Sequence, residues 1–535
     1  MNGAAKARKK SRIEQLEADN KLLSERLRLR DDEIASLRAS VDWLRRQLFG
    51  ARSEKTRHVF KDDRLISLFD EDAGTAENTG KPEETEEREV KAHKRRTRRQ
   101  PTIEELKKIL EVETEVIPLS DKEKVCPECG KEMKPVGKMV LVRSELVRDP
   151  ARVYIKETYA ETYACKDESH EETVFARSQV PPSVIMHSYA SASTVAHVID
   201  QKFRYAKTLY RMESEWKDLG VEISRQTMSN WVMLASRDWL QPILDRMKPV
   251  LLSRAIVHAD ETTFPLLPTK GSDRHRTEIC YAWVYTTGSY EQEIRMAIYV
   301  YQSGRSGEYA AKFLEGYHGA LQTDGYSGYN GLPVGLHALC WAHLRRKFVY
   351  ALPEAERKDP DKSRRVAGEA IRKIAELFRI DKELDGLSPE ERSKERLQRE
   401  KPVLEALKAW LLEKKVILLP NSRLGEAVNY ALKNWDGLTA YLRDGNCSLT
   451  NNICERTVRP FTIGRKNWLF SGSEEGAKAS AACYSMAETC RLNGISFYKY
   501  LCLVFSEVPG INFHRYPELL DRYFPWSEYV QERCK

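Results

Sequence analysis

Apolar residues recur every seven positions near the start of the chain. Ile13, Asn20, Leu27, Ile34, Val41 and Leu48 form one series, and Leu16, Leu23, Arg30, Leu37 and Leu44 follow three residues behind. This a/d seam predicts a coiled coil, with Arg30 as its charged defect. Asn20 falls at an a position, where a buried amide selects one register and favours a dimer. In a parallel pair Arg26 at g faces Asp31 at the partner helix's e, and Glu33 likewise faces Arg38. The segment therefore predicts a homodimer, or a higher oligomer built on one. The alternative is a single amphipathic helix packed on its own domain.

Further along, the periods change. EDAGTAENTGKPEETEEREV has little apolar content and no period, so residues 61–100 are expected to be a disordered linker, acidic and then basic. Residues 101–178 hold CPECGKEM followed by strand-like KMVLVRSELV and ARVYIKETYAETYAC. Residues 179–250 read as helical. SASTVAHVIDQKFRYAKTLYRMESEWKDLG has helical spacing up to Gly220, and VEISRQTMSNWVMLAS opens a new helix with Ser224 at its N-cap. Helix, glycine turn, helix is the helix-turn-helix pattern; it would face Gln226, Thr227, Ser229 and Asn230 toward DNA. An ordinary helical hairpin would give the same pattern. Residues 251–505 begin with three short strands, RAIVHADET, CYAWVYTTG and IRMAIYVYQ. A helix in GEYAAKFLEG and two further strands, in ALQTDGYSGYN and GLHALCWAH, follow. That order predicts a mixed sheet with helices on its faces. A charged helical insertion interrupts it at about 353–445, and 506–535 are left as a C-terminal tail. The fold class is thus multidomain α+β.

Composition narrows this picture. A chain of 535 residues exceeds one simple core. No run approaches the roughly 18 apolar residues of a membrane span, and the basic start has no apolar stretch behind it. Neither a membrane partner nor a secretory signal is expected, which points to the cytoplasm. The net charge of +8 is compatible with nucleic acid without being diagnostic. KAHKRRTRRQ concentrates charge in Arg95, Arg96, Arg98 and Arg99, as phosphate contacts or as a solvated linker. Among 11 cysteines, Cys126 and Cys129 form a CxxC pair that suits metal binding or redox chemistry before a disulfide.

Three acids stand out by position. Asp260 ends the strand AIVHAD, Asp324 ends ALQTD, and Glu455 lies in TNNICERTV, a short helix that Pro460 would end. A carboxylate on a buried strand needs a partner or a metal, because its isolated charge is costly to desolvate. A few carboxylates around an open cleft suffice for magnesium, and two such ions can serve phosphodiester cleavage and transfer. Each acid alone is a weak signal, since Asp and Glu are 80 of the residues.

HADET, QTDGYSGYN, CWAHLRRKF, NNICERTVRP and IGRKNWLFSGS, with RRQLFGARSEKT, CPECG and SRQTMSNWV before them, run in order from about residue 10 to 505. This series resembles the bacterial DDE transposases of insertion-sequence family sixty-six. The resemblance implies an RNase H-like catalytic domain with a helical insertion before the glutamate. It makes Asp260, Asp324 and Glu455 the catalytic, metal-holding triad, with two Mg2+ (or Mn2+) ions. It implies binding of element ends and target DNA, strand cleavage, and strand transfer without a covalent protein intermediate. Small accessory proteins of the same element are further partners it admits, and the protein would associate with the bacterial nucleoid. Thr450 stands where the family usually carries Asp, which touches one secondary contact and not the triad.

The family's zinc finger is incomplete here. Cys126, Cys129 and Cys165 supply three thiolates, but the second CxxC reads CKDESH. His170 is the best fourth ligand for Zn2+ and Glu168 the alternative; a degenerate finger that folds without metal is the other reading. Cys340 and His343 form a CxxH near the second acid, with either a metal or a structural role. Arg345, Arg346, Arg465 and Lys466 are candidate phosphate contacts near the cleft, or else a solvated basic face. Two other functions remain open: a catalytically silent DNA-binding regulator, and a metal-dependent nuclease that hydrolyses without joining.

Overall fold

A computed structural model of the chain describes residues 101–127, 130–135, 140–149, 152–165, 175–268 and 277–535. The coiled coil, the linker with Arg95, Arg96, Arg98 and Arg99, and the candidate ligands Cys129, Glu168 and His170 lie outside the described residues. The described part belongs to one unit, Gln100–Lys535.

Two small sheets come first. After the helical turn α1 (Ile103–Leu106), β1 (Val112–Ile117) lies parallel to β4 (Arg152–Ala160), which pairs antiparallel with β3 (Val140–Asp149). The second sheet joins β2 (Lys134–Pro135), β5 (Thr162–Ala164) and β6 (Phe175–Arg177). β3 is tied to the helices that follow. The Leu146 amide donates to the Tyr189 carbonyl at 2.5 Å, and the Thr194 hydroxyl donates to the Leu146 carbonyl at 2.6 Å.

The expected long helix up to Gly220 is two helices, α2 (Ala192–Phe203) and α3 (Leu209–Asp218). Ala206 between them adopts φ 54°, a left-handed break that an α-helix cannot carry, and Thr208 caps the second helix. Gly220, at φ 77°, makes the turn into α4 (Arg225–Ala235), where the Ser224 hydroxyl accepts from the Thr227 amide as the sequence predicts. A π-helical turn, Ser236–Leu240, leads into α5 (Gln241–Leu252).

The central sheet has the order β11-β10-β7-β8-β9. β7 (Ile256–Leu266), β8 (Glu278–Thr287) and β9 (Ala297–Gln302) are an antiparallel meander. The chain then crosses over through α6 (Gly307–Phe313), and β10 (Ala320–Thr323) lies parallel to both β7 and β11 (Leu336–Leu339). Parallel neighbours require such a crossover, so the mixed sheet expected from strand order is the one that forms. β11 runs directly into α7 (Trp341–Ala351).

The helical insertion follows as α8 (Val366–Glu383), α9 (Pro389–Arg399), α10 (Lys401–Ile417), α11 (Arg423–Lys433) and α12 (Trp435–Thr439). Its interior holds charge. Arg396 donates to Asp381, and the Tyr441 hydroxyl donates to Glu400 at 2.5 Å. Glu400 is fully buried, and desolvation, the largest cause, raises its carboxyl to about 7. An acid raised in the folded state binds more protons folded than unfolded between its ordinary value of 4.5 and about 7. Stability should therefore fall as pH rises through that window. Glu400→Gln, which keeps an acceptor for Tyr441, should be more stable than the parent at pH 8 by up to about 3 kcal/mol and gain nothing at pH 4. Urea melts at the two pH values check this; an equal difference at both would remove Glu400 as the cause.

The chain returns to the sheet with α13 (Asn452–Trp468), α14 (Glu474–Leu492) and α15 (Phe497–Glu507). α14 is rich in Ala, Ser and Cys, so it approaches edge strand β9 closely. There the Thr489 and Ser485 hydroxyls accept from the Ala297 and Tyr299 amides at 3.1 and 2.8 Å. Those edge donors are thereby closed to another strand. Residues 506–535 are not a loose tail. Leu520, Tyr523, Phe524 and Val530, the last in α16 (Glu528–Cys534), join a core that also contains Leu146, Val198, Met228, Trp283 and Phe461. The helices of 179–250 therefore share the core of the central sheet.

Candidate functional site

β7 carries the first acid. Asp260 does not end this strand as expected, because β8 continues to pair with β7 as far as Leu266. What stops there is the other neighbour: β10 accompanies β7 only from Ile256 to His258. Asp260 thus sits where one side of its strand has been vacated. Asp324 follows directly on Thr323, the last residue of β10. Its Oδ1 accepts from the Tyr326 amide at 2.8 Å, closing a turn through Gly325 at φ 92°. The Tyr430 hydroxyl donates to the Asp324 carbonyl at 3.3 Å and would clash with a Cβ at Gly325. Glycine is required there on both counts.

Glu455 lies in the first turn of α13, and Pro460 does not end this helix, which runs on to Trp468. One missing amide is tolerated because packing holds the helix: Cys454, Val458 and Phe461 are all buried in the core. The segment before it is sewn to both acid-bearing strands. Gln322 on β10 accepts from the Ser448 amide at 3.2 Å. The Asn451 side chain donates to the Ala259 carbonyl at 2.9 Å and lies 2.9 Å from His258 Nδ1. Since the Asn451 amide nitrogen is the donor to Ala259, its oxygen must accept, so His258 carries its proton on Nδ1. Burial lowers His258 to about 4, which keeps it neutral at pH 7. Asn451 therefore fixes the glutamate helix against the residue next to Asp260.

The acids influence one another. Burial first, then Asp324, Glu261 and Glu455, push the Asp260 carboxyl well above its ordinary range. Glu261 is a fourth acid that the sequence reading did not single out. Its side chain is 1% exposed and is held by Arg305 and by the Tyr329 hydroxyl at 2.8 Å. Strand alternation places it on the face opposite Asp260, and nothing in HADET distinguishes the two. On the α7 side, Arg346 donates to Glu455 Oε2 at 3.4 Å, and His343 Nδ1 stands 3.7 Å from Oε1. Cys340 caps α7, and its buried sulfur accepts from the Asn451 amide at 3.1 Å.

The other candidates are dispersed. Gln226 and Asn230 are exposed on α4 and bonded to each other at 3.0 Å. Thr227 is buried rather than DNA-facing, because its hydroxyl meets the Ser224 cap at 2.9 Å. Arg345 pairs with Asp361 at 3.3 Å. Arg465 turns inward to Thr262 and Thr263 on β7, while Lys466 is exposed. Cys126 and Cys165 are both buried in one small cluster with Met133. Gly130, at φ 69°, returns the chain after Cys126, and β5 delivers Cys165 to the same place. No helix among the described residues is long and apolar enough to cross a membrane.

Comparison with known proteins gives three family matches in order along the chain. Residues 36–113 match the model described as Transposase C of IS166 homeodomain, and residues 123–167 the zinc-finger binding domain of transposase IS66. Residues 187–479, which include all three acids, match the transposase IS66 family. The finger match takes in Cys126, Cys129 and Cys165 and stops before His170. The chain is 29% identical over 509 residues to the uncharacterized protein y4hP of Sinorhizobium fredii, spanning 92% of this chain and 89% of that one. It is also 29% identical over 489 residues to y4jD of the same organism, spanning 89% and 91%.

Proposed function

We propose, from the premise that this chain belongs to the IS66 transposase family, that it binds the ends of an insertion sequence and cuts and joins DNA there through Asp260, Asp324 and Glu455. The observation that carries the reading is the convergence of these acids. Two lie where β10 ends beside β7, and Asn451 fixes the third against them. We read the order β11-β10-β7-β8-β9, three antiparallel strands and two parallel ones, as RNase H-like. The donor set fits magnesium or manganese. It is all carboxylate oxygen, and burial first and then mutual repulsion raise Asp260, a cost that a bound cation would relieve. When bound, two such ions would activate the attacking oxygen and stabilise the leaving one. The chain's own part is to hold the acids in place: Asn451 and Gln322 position Glu455, the Gly325 turn positions Asp324, and Arg305 neutralises Glu261. Exposed Gln226, Asn230 and Lys466, with the basic Arg95–Arg99 cluster, would contact DNA.

Full-length protein incubated with magnesium and a duplex carrying the inverted repeats that flank its coding sequence tests this. Cleaved ends joined to new DNA are expected. Hydrolysis without joining would make the protein a nuclease, and binding alone a silent regulator.

We further read residues 11–48 as a parallel dimeric coiled coil, working in the cytoplasm on nucleoid DNA. A peptide of that segment should sediment as a dimer; a monomer at high micromolar concentration would remove the seam as the dimerisation element. The finger should hold zinc through Cys126, Cys129, Cys165 and His170, since a small unit with a limited core gains folding energy from a closed four-ligand site. Metal analysis should show about one equivalent fewer zinc on Cys126→Ser. Unchanged content would mean a decayed finger, and a His170→Ala variant that keeps its zinc would move the fourth ligand to Glu168 or to a water.

A further inference from the structure

Two buried polar atoms face each other beside the catalytic glutamate without bonding. His343 Nδ1 and Glu455 Oε1 have no hydrogen-bond partner, and the 3.7 Å between them is too long for a bond of their own. Buried polar groups are rarely left this way, so the pair calls for something between them. Cys340 lies three residues before His343, at the N-cap of the helix that carries it. The ligand atoms of Cys340, His343 and Glu455 all fall within 4.8 Å of one another. Ligands about 2.0–2.3 Å from a common ion at tetrahedral angles stand about 3.3–3.8 Å apart, a spacing these side chains reach with small rotations.

The donor set is one sulfur, one imidazole nitrogen and one carboxylate oxygen. That mixture suits a borderline or soft ion and is wrong for magnesium, which takes oxygen. Three protein ligands with a fourth position open is also the composition of reactive rather than purely structural zinc sites. The surroundings favour a metal-bound thiolate. The Asn451 amide reaches the Cys340 sulfur at 3.1 Å. Such an outer contact stabilises a ligating sulfur.

We propose that Cys340, His343 and Glu455 form a distinct site for a thiophilic divalent ion such as zinc, and that filling it withdraws Glu455 from the magnesium-holding acids and silences strand cleavage. The second half rests on the functional reading above; the site itself does not. Glu455 has one oxygen toward His343 and the other bonded to Arg346, so an ion on Oε1 would leave the carboxylate committed to α7.

Cobalt titration of the chelator-stripped full-length protein tests the site without DNA. Any thiolate-to-cobalt absorption from the finger cysteines is common to every sample, so the difference between proteins is what is read. Cys340→Ser should bind about one equivalent less cobalt and lose part of the thiolate band. His343→Ala should weaken that equivalent at least about tenfold. Because His343 Nδ1 bonds nothing, this variant reports on the site even if Cys340→Ser folds poorly. Identical titrations for the parent and both variants would overturn the site. The second half is read as the ratio of cleavage with and without zinc at fixed magnesium. That ratio should fall about tenfold or more in the parent and stay near one in His343→Ala. Cobalt binding without zinc inhibition would overturn the silencing alone. A parent that never cleaves DNA would refute the functional reading, and the cobalt result would still decide the site.

Discussion

Asp260→Asn, Asp324→Asn and Glu455→Gln should each lower strand cleavage and transfer at least about a thousandfold, about 4 kcal/mol of transition-state stabilisation, with little change in binding to element ends. Each replacement keeps the shape and removes the charge. For Asp260 the charge is already expensive, since burial and three acidic neighbours all oppose it. A group kept at such cost is there for what it binds. The same reasoning fixes a second sign: without divalent metal, Asp260→Asn should unfold at the same temperature as the parent or higher, because it removes repulsion. Glu261 provides the contrast. Burial and then Asp324 raise its carboxyl too, but Arg305 and Tyr329 bond it and offset part of that, so Glu261→Gln should act mainly through stability. Cleavage of a labelled repeat-end duplex in magnesium, with end binding measured on the same preparations, checks the three variants. Near-parent activity in any one of them would take that acid out of the triad.

The parts legible in the sequence are those written as local periods or as collinear motifs. Short strand-like runs marked β7, β8 and β9, the turn residues after Asp324 marked its strand end, and Ser224 marked the start of α4. What could not be read depends on partners far along the chain. Asp260 looks like a strand end because HADETTF turns polar, yet Leu266 still pairs with Glu278 on β8. Pro460 looks like a stop, yet helix α13 continues because Phe461 packs on Phe264 and Tyr484. Residues 506–535 read as a C-terminal tail, and it is the core shared with distant elements that buries Leu520 and Val530. Asn451 was visible only as one half of an NN pair. Its role comes from His258 and Ala259, almost 200 residues earlier, and no local signal carries that link.

Asp381→Ala should destabilise the protein by about 3–5 kcal/mol and lower cleavage beyond what the unfolded fraction explains. The Arg396 side chain is fully buried, and its Nε and one terminal nitrogen both donate to Asp381 Oδ1, at 2.9 and 2.6 Å. Burial raises the Asp381 carboxyl, and Arg396 offsets only part of that, so the pair is no net bargain as a pair. Removing one partner is a different matter, because it strands a guanidinium away from water. The other end of Arg396 donates to the Cys447 carbonyl at 2.9 Å and the Tyr441 carbonyl at 3.3 Å. Cys447 directly precedes Ser448, which is clamped to Gln322, and Asn451 follows three residues later. A stranded Arg396 should therefore loosen the segment that delivers Glu455, which is how a change in the insertion reaches the chemistry. The double variant Asp381→Leu, Arg396→Met removes the stranded charge and should recover part of the stability, though the two carbonyls lose their donors. Its cleavage should stay below the parent's, since Cys447 is no longer held. Chemical denaturation and cleavage rates of the single and double variants separate the two effects. If Asp381→Ala cost under about 1 kcal/mol, Arg396 would have found water, and the insertion could not be the brace for Glu455.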